Sequence, residues 1–262
     1  MQTEPPSNSA ADNPYKGPEA SQILPGENKP SRFWVWALFA ILGMVFIMIV
    51  LVLPSTRFTP SAMRRTQCFS NLKQIAIALH NYHDKYDSLP PAYTVDSNGK
   101  PLHSWRTLIL PYLEQAALYN SIDLSKPWSD PVNAEAFKTT PQIYRCPSAD
   151  LPPNYTGYLG VAGENGSFHP TNPRARSEIT DGLSNTLMVI EVPQEKVVPW
   201  MSPQDAEEHL ILSISEKDTL AHTGGYQAAI GDGSVRFLSI NLDPSTLRAI
   251  ISISGQEDVG EF

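Results

Sequence analysis

The sequence predicts an α+β protein: a single transmembrane helix, then a domain in which a long amphipathic helix packs on an antiparallel β-sheet. Three observations predict it. Residues 33–53 run for 21 residues without a charge. Residues 62–86 place Leu72, Ile75, Ala76, Leu79, Tyr82, His83 and Tyr86 at the i, i+3, i+4, i+7 spacing of a helix with one buried face. From Tyr155 onward the period shifts towards two, and short apolar runs alternate with turn residues. Helix first and strands later is the order of an α+β domain.

Residues 1–32 carry six prolines among Asn, Ser, Glu and Gln, with almost no large apolar side chain. Such a stretch buries too little surface to offset its chain entropy, so it is expected to be a disordered, cytoplasmic tail. The apolar run that follows spans about 30 Å as a helix, the thickness of a bilayer core. It is too long for a signal-peptide core, and Val52-Leu53-Pro54-Ser55 is a poor cleavage site. Trp34 and Trp36 suit an interfacial belt. Pro54 and Pro60 then bracket a kink or break.

The amphipathic helix begins the soluble domain, expected over residues 62–255, and stops before Leu89-Pro90-Pro91. Asp96-Ser97-Asn98-Gly99 is a turn between short extended pieces. His103 to Gln115 reads as one or two short helices with Pro111 between them. Trp105, Leu108, Leu110, Leu113 and Leu118 are candidate core. A short helix over Val132–Lys138 follows a Pro-rich loop. Tyr158–Ala162 and Leu187–Val192 read as strands. Gly225–Ile230 and Ser234–Ile240 form a hairpin through Gly231-Asp232-Gly233. Asp243 caps a last helix over Leu247–Ile251, and residues 256–262 are an acidic, loose tail.

The net charge is −8, and the basic residues form no long run. Phosphate binding needs clustered Lys and Arg, so nucleic acid is excluded as the main partner. The two cysteines, Cys68 and Cys146, both follow the apolar run. If they pair, the domain stands in an oxidising compartment; the alternative is two buried free thiols. Lys29 and Arg32 precede the run and Arg57, Arg64 and Arg65 follow it, close to a tie by the positive-inside rule and leaning slightly towards a cytoplasmic domain. The cysteines tip the reading to an inner-membrane protein, amino terminus cytoplasmic and domain extracytoplasmic.

Several motifs stand in a fixed order between Arg64 and Ile253. Cys68-Phe69-Ser70-Asn71-Leu72-Lys73-Gln74-Ile75 leads to Ala78-Leu79-His80-Asn81-Tyr82-His83-Asp84 and Leu89-Pro90-Pro91-Ala92-Tyr93. His103-Ser104-Trp105-Arg106, Leu110-Pro111-Tyr112-Leu113-Glu114-Gln115 and Tyr144-Arg145-Cys146-Pro147-Ser148 follow. Ile179-Thr180-Asp181-Gly182-Leu183-Ser184-Asn185-Thr186 comes next, and His222 then stands nine residues before Asp232-Gly233. In these residues the chain resembles a planctomycete-expanded bacterial family of unknown function, called solute-binding-protein-like and pseudopilin-like in architecture. The His-x9-Asp-Gly spacing is that family's carboxyl-terminal signature. The resemblance implies a pilin-like layout, with the long amino-terminal helix laid on a sheet. Many relatives carry a prepilin leader, with Gly before Phe-Thr-Leu and Glu five residues into the mature helix. Arg32-Phe33-Trp34-Val35-Trp36-Ala37 supplies neither, so the anchor is expected to stay attached to its tail.

His80, His83 and Asp84 can share a helical face, but no zinc motif supplies a third or fourth ligand. Asn81, Tyr82 and the two histidines are expected to hydrogen-bond loop backbone against the helix. His222 and Asp232 fall at opposite ends of one strand, too far apart to grip one ion, and Asp at a turn serves its own backbone. The resemblance offers Asp181 and Asp232 as weak calcium candidates, yet no spaced acidic ladder is present. No nucleophile elbow or phosphate loop appears. The expectation is therefore a non-enzymatic structural or interaction protein without a cofactor or an identifiable small-molecule substrate. Its partners would be the membrane and other envelope or secretion proteins. The alternatives are a sugar- or peptide-binding module using Trp105, Trp128, Tyr155 and Trp200, and then a metal-assisted hydrolase.

Overall fold

The structure, a computed structural model, describes residues 32–55, 61–257, 259 and 262, with side chains of the first helix described through Met48. The tail expected over 1–32 therefore lies outside the described residues except for Arg32, as does most of the segment between Pro54 and Pro60. Two compact units are present, residues 1–58 and 59–262. In the first, helix α1 runs Arg32–Ser55. Phe33, Trp34, Trp36, Phe39, Ile41 and Phe46 on it are all exposed. Among the described residues no helix is long and apolar enough to cross a membrane. The expected span, 33–53, continues past the last described side chain at Met48.

The second unit is α+β. Helix α2 (Ser61–Tyr86) opens it, close to the expected boundaries. It ends where Asp87 turns left-handed (φ 56°) and its amide returns to the His83 carbonyl at 2.7 Å. A residue in that conformation cannot continue a right-handed helix. Strands β1 (Tyr93–Val95) and β2 (Pro101–Ser104) pair antiparallel around the predicted turn. There the Asp96 carboxylate accepts from the Asn98 and Lys100 amides. Short helices α3 (Trp105–Leu108), α4 (Ala116–Asn120) and α5 (Ala134–Lys138) follow. Pro111 falls inside a separate 3-10 turn between α3 and α4.

Strands β3 (Tyr155–Thr156), β4 (Tyr158–Gly160), β5 (Leu187–Glu191) and β6 (Val198–Pro199) come next. Helix α6 (Glu208–Leu212), strands β7 (Gly225–Ile230) and β8 (Val235–Ser239) and helix α7 (Pro244–Ile251) complete the unit. The central sheet is four-stranded, ordered β4-β5-β7-β8, and antiparallel throughout. β3 pairs with β6 in a separate small ribbon.

The sheet is buried on both faces, which is why β5 reads as an unbroken apolar run. On one face α2 lies across β7, with β5 and β8 alongside. Leu72, Ile75, Ala76 and Leu79 pack there against Met188, Val189 and Ala229. Each large apolar side chain so buried contributes roughly 1.5–3 kcal/mol. On the other face Ile190, Ala228 and Ile230 meet Ile211 of α6 and Leu247 and Ile250 of α7.

Two expectations need correction. Tyr86, read as part of the buried stripe, is 52% exposed, its ring tilted against Tyr82 and with Lys85 over it. The carboxyl-terminal segment is not loose from its start: Asp181 accepts from the Gly255 and Gln256 amides, and Arg236 lies over the Phe262 ring. Residues 258, 260 and 261 lie outside the described ones.

Candidate functional site

Four buried side chains meet where the first turns of α2 cross the sheet. Cys68 sits one helical turn before Leu72 and so shares its buried face. Cys146 follows the 3-10 turn Gln142–Tyr144, and Pro147 after it stops any continuation. The two sulfurs form a disulfide across 78 positions of sequence, with Cα atoms 4.9 Å apart. Glu191 is the last residue of β5, and His222 lies just before β7. His222 Nε2 is 3.7 Å from Cys146 Sγ and 3.2 Å from a Glu191 carboxylate oxygen. The four potential donor atoms all lie within 4.8 Å of one another. Despite standing 3.2 Å from His222 Nε2, the Glu191 carboxylate accepts no hydrogen bond among the described residues. Tyr158 completes the wall, its hydroxyl 3.5 Å from the Cys68 carbonyl oxygen. Burial, reinforced by the Glu191 carboxylate, holds that hydroxyl well above its ordinary pKa.

The other half of α2 carries a second cluster. Lys73 donates to the Gly233 carbonyl at 2.6 Å, and His80 Nδ1 accepts from the Arg176 guanidinium. Burial, then the Arg176 charge, holds the His80 imidazole below its ordinary 6.5. The same two causes lower His83, which stands 3.9 Å from Asp84. So His80 is bonded to a side chain where loop backbone was expected, while Asn81 is exposed. The His-x9-Asp-Gly residues are divided between the two clusters. His222 joins the disulfide, Gly233 meets His80, and the six residues of β7 separate them. Asp232 accepts from the Ser234 amide in its own turn. The Asp181 carboxylate accepts from the distant Gly255 amide, while the Asp181 and Gly182 carbonyls accept from Asn185 and Thr186 nearby.

A third polar centre has no periodic signal in the sequence. Arg106 is fully buried and pairs with Asp205 at 2.6 Å, while donating to the carbonyls of Trp200, Ser202 and Gln204. Asp205 also accepts from the Trp105 indole and the Gly160 amide. Burial raises its pKa, against the opposing pull of Arg106 and those two donors. Trp105 and Trp200, named for a ligand cleft, are fully buried in the core, and Trp200 stacks on Tyr144. Glu191 carries no distinguishing sequence feature either, because a charged residue ending a strand is ordinary on a solvent face.

No curated protein and no solved structure matches the chain. Residues 61–161, from the start of α2 to just past β4, match the model of a family described as "Protein of unknown function (DUF1559)". The match includes Cys68 and Cys146 and ends before Glu191 and His222. Over this stretch the chain is similar to that family of unknown function.

Proposed function

We propose that this chain is a membrane-anchored, extracytoplasmic structural or interaction protein with a pseudopilin-like domain, acting in an envelope or secretion assembly and not as an enzyme. The observation that carries the reading is a disulfide closing a domain that follows an uncharged 21-residue run. Structural disulfides persist outside the reducing cytoplasm, and a run of that length suits a bilayer. The long helix laid on an antiparallel sheet supports the pseudopilin-like element of the proposal. Its non-catalytic character is supported by how the polar groups are used: Arg106 is saturated by Asp205 and carbonyls, and Asp181 and Asp232 by backbone amides.

The test is topology in intact cells. The full chain should resist alkaline extraction from membranes, and protease added outside the cytoplasmic membrane should degrade the domain. A bulky maleimide should label neither cysteine until a reductant is added. Degradation only from the cytoplasmic side, or labelling of both sulfurs without reduction, overturns the reading. Crosslinking in membranes should then recover envelope proteins; recovery of the chain alone removes the assembly role.

A further inference from the structure

We infer that Cys68, Cys146, Glu191 and His222 form a redox-gated zinc site: a disulfide when oxidised, a four-ligand Zn²⁺ centre when reduced. A tetrahedral zinc with bonds of about 2.0 to 2.3 Å holds its ligand atoms roughly 3.2 to 3.8 Å apart. The His222 to Glu191 separation of 3.2 Å and the Cys146 to His222 separation of 3.7 Å already fall in that range. The two sulfurs are closer because they are bonded, and every pair of the four lies within 4.8 Å. Reduction frees them to separate by rotation about their Cα–Cβ bonds, with the backbone in place.

The Glu191 carboxylate points independently to a cation. It is 2% exposed, and neither oxygen accepts a hydrogen bond among the described residues. A carboxylate withdrawn from water in this way is costly unless a positive charge or donors compensate it. In the disulfide form the His222 ring approaches it at 3.2 Å without a hydrogen bond; a divalent ion bound by both residues would compensate it. Two thiolates, an imidazole and a carboxylate are the donor types zinc accepts, and with all four positions filled by protein the centre would be structural. Cavities of 400 Å³ beside Cys146 and 390 Å³ beside His222 give access from two sides. The ligands come from α2, a loop, β5 and the approach to β7, so no short spacing announces them in sequence.

The switching step is balanced by disulfide exchange. The zinc dithiolate reacts with a small-molecule or protein disulfide, RSSR, and two protons. The products are the Cys68–Cys146 disulfide, two RSH and free Zn²⁺. Two electrons pass from the protein sulfurs to RSSR, and the metal keeps its charge. This inference does not rest on membrane anchoring, and its test is separate from the topology experiment.

The full chain, solubilised in detergent and reduced by a phosphine, is titrated with Zn²⁺ against a chromogenic chelator and with Co²⁺ by visible absorption. The reduced protein should bind one metal per chain and show the tetrahedral cobalt bands with thiolate charge transfer; the oxidised protein should bind none. His222→Ala and Glu191→Gln should each weaken zinc binding by at least about tenfold to a hundredfold, the size of effect that loss of even an orienting partner produces. Both should still form the disulfide. Addition of oxidised glutathione should release the metal as the disulfide returns. If reduction alone unfolds the domain, Zn²⁺ should restore its near-ultraviolet dichroism. The inference is overturned if the reduced chain takes up no more metal than a Cys68→Ser/Cys146→Ser variant. It is equally overturned if the His222 and Glu191 variants bind as tightly as the parent, which would leave an unorganised pair of thiols.

Discussion

His80 stands against Gly233, so closely that a Cβ on the glycine would come within 2.9 Å of the imidazole Nε2. Gly233 also holds φ +82°, a conformation L side chains rarely adopt. Gly233→Ala should therefore destabilise the domain by about 1–3 kcal/mol in urea denaturation. His80→Ala in the same chain should return the steric part of that loss, giving a coupling above about 0.5 kcal/mol in a double-mutant cycle. Strictly additive losses would show that the contact does not matter.

The burial of His80 also sets a pH dependence. His80 and His83 sit below 6.5 in the folded chain, chiefly through burial and then through Arg176, with Asp84 opposing. Lys73 adds to the depression of His80. As the pH falls below about 6.5 the unfolded chain takes up protons first, so stability is complete above that pH and declines beneath it. His103, lowered by its own burial, contributes in the same direction. His80→Gln should flatten the slope of unfolding free energy between pH 7 and 5 without abolishing it. An unchanged slope would contradict the assignment.

Arg106 and Asp205 are the most costly pair to break. Truncating one partner leaves the other charge buried, so Arg106→Ala should cost about 3–5 kcal/mol. Arg106→Lys should recover little, because a single ammonium cannot replace a planar fork serving Asp205 and the carbonyls of Tyr158, Trp200, Ser202 and Gln204. Chemical denaturation measures both, and a loss below 1 kcal/mol, well under the about 3–5 kcal/mol expected, would be incompatible with the pairing described.

Removing the cross-link should cost up to roughly 4 kcal/mol by the chain-entropy account of a closed loop of this length. Cys68→Ser/Cys146→Ser, compared with the oxidised parent in urea, reads that loss directly. A midpoint unchanged between the two would show that the loop is already ordered in the unfolded chain.

Much of the architecture was written in local patterns. The α2 stripe, the Asp96 turn, the Gly231-Asp232-Gly233 hairpin and the Asp243 cap each depend on residues within a few positions of one another, and each formed close to its expected bounds. Helix α6 and the β3–β6 ribbon were missed because they are too short for a period to declare itself. The polar centres were less legible. Cys68, Cys146 and His222 were recognisable as residues of interest, but their meeting with Glu191 needs four separate segments to converge. Arg106 stood in a motif, His103-Ser104-Trp105-Arg106, but nothing local named the carbonyls and Asp205 it serves. Long-range convergence leaves no periodic trace.

The cross-link also decides how the domain answers a tug on its amino-terminal side. Tension entering α2 at Ser61 reaches a covalent tie at Cys68, within two turns, and passes sideways to the loop at Cys146. The remainder of the helix is thereby shielded from being peeled off the sheet. Stretched from its two ends, the oxidised chain should reach a contour roughly 270 Å shorter than the reduced one, since the 78-position loop stays shut.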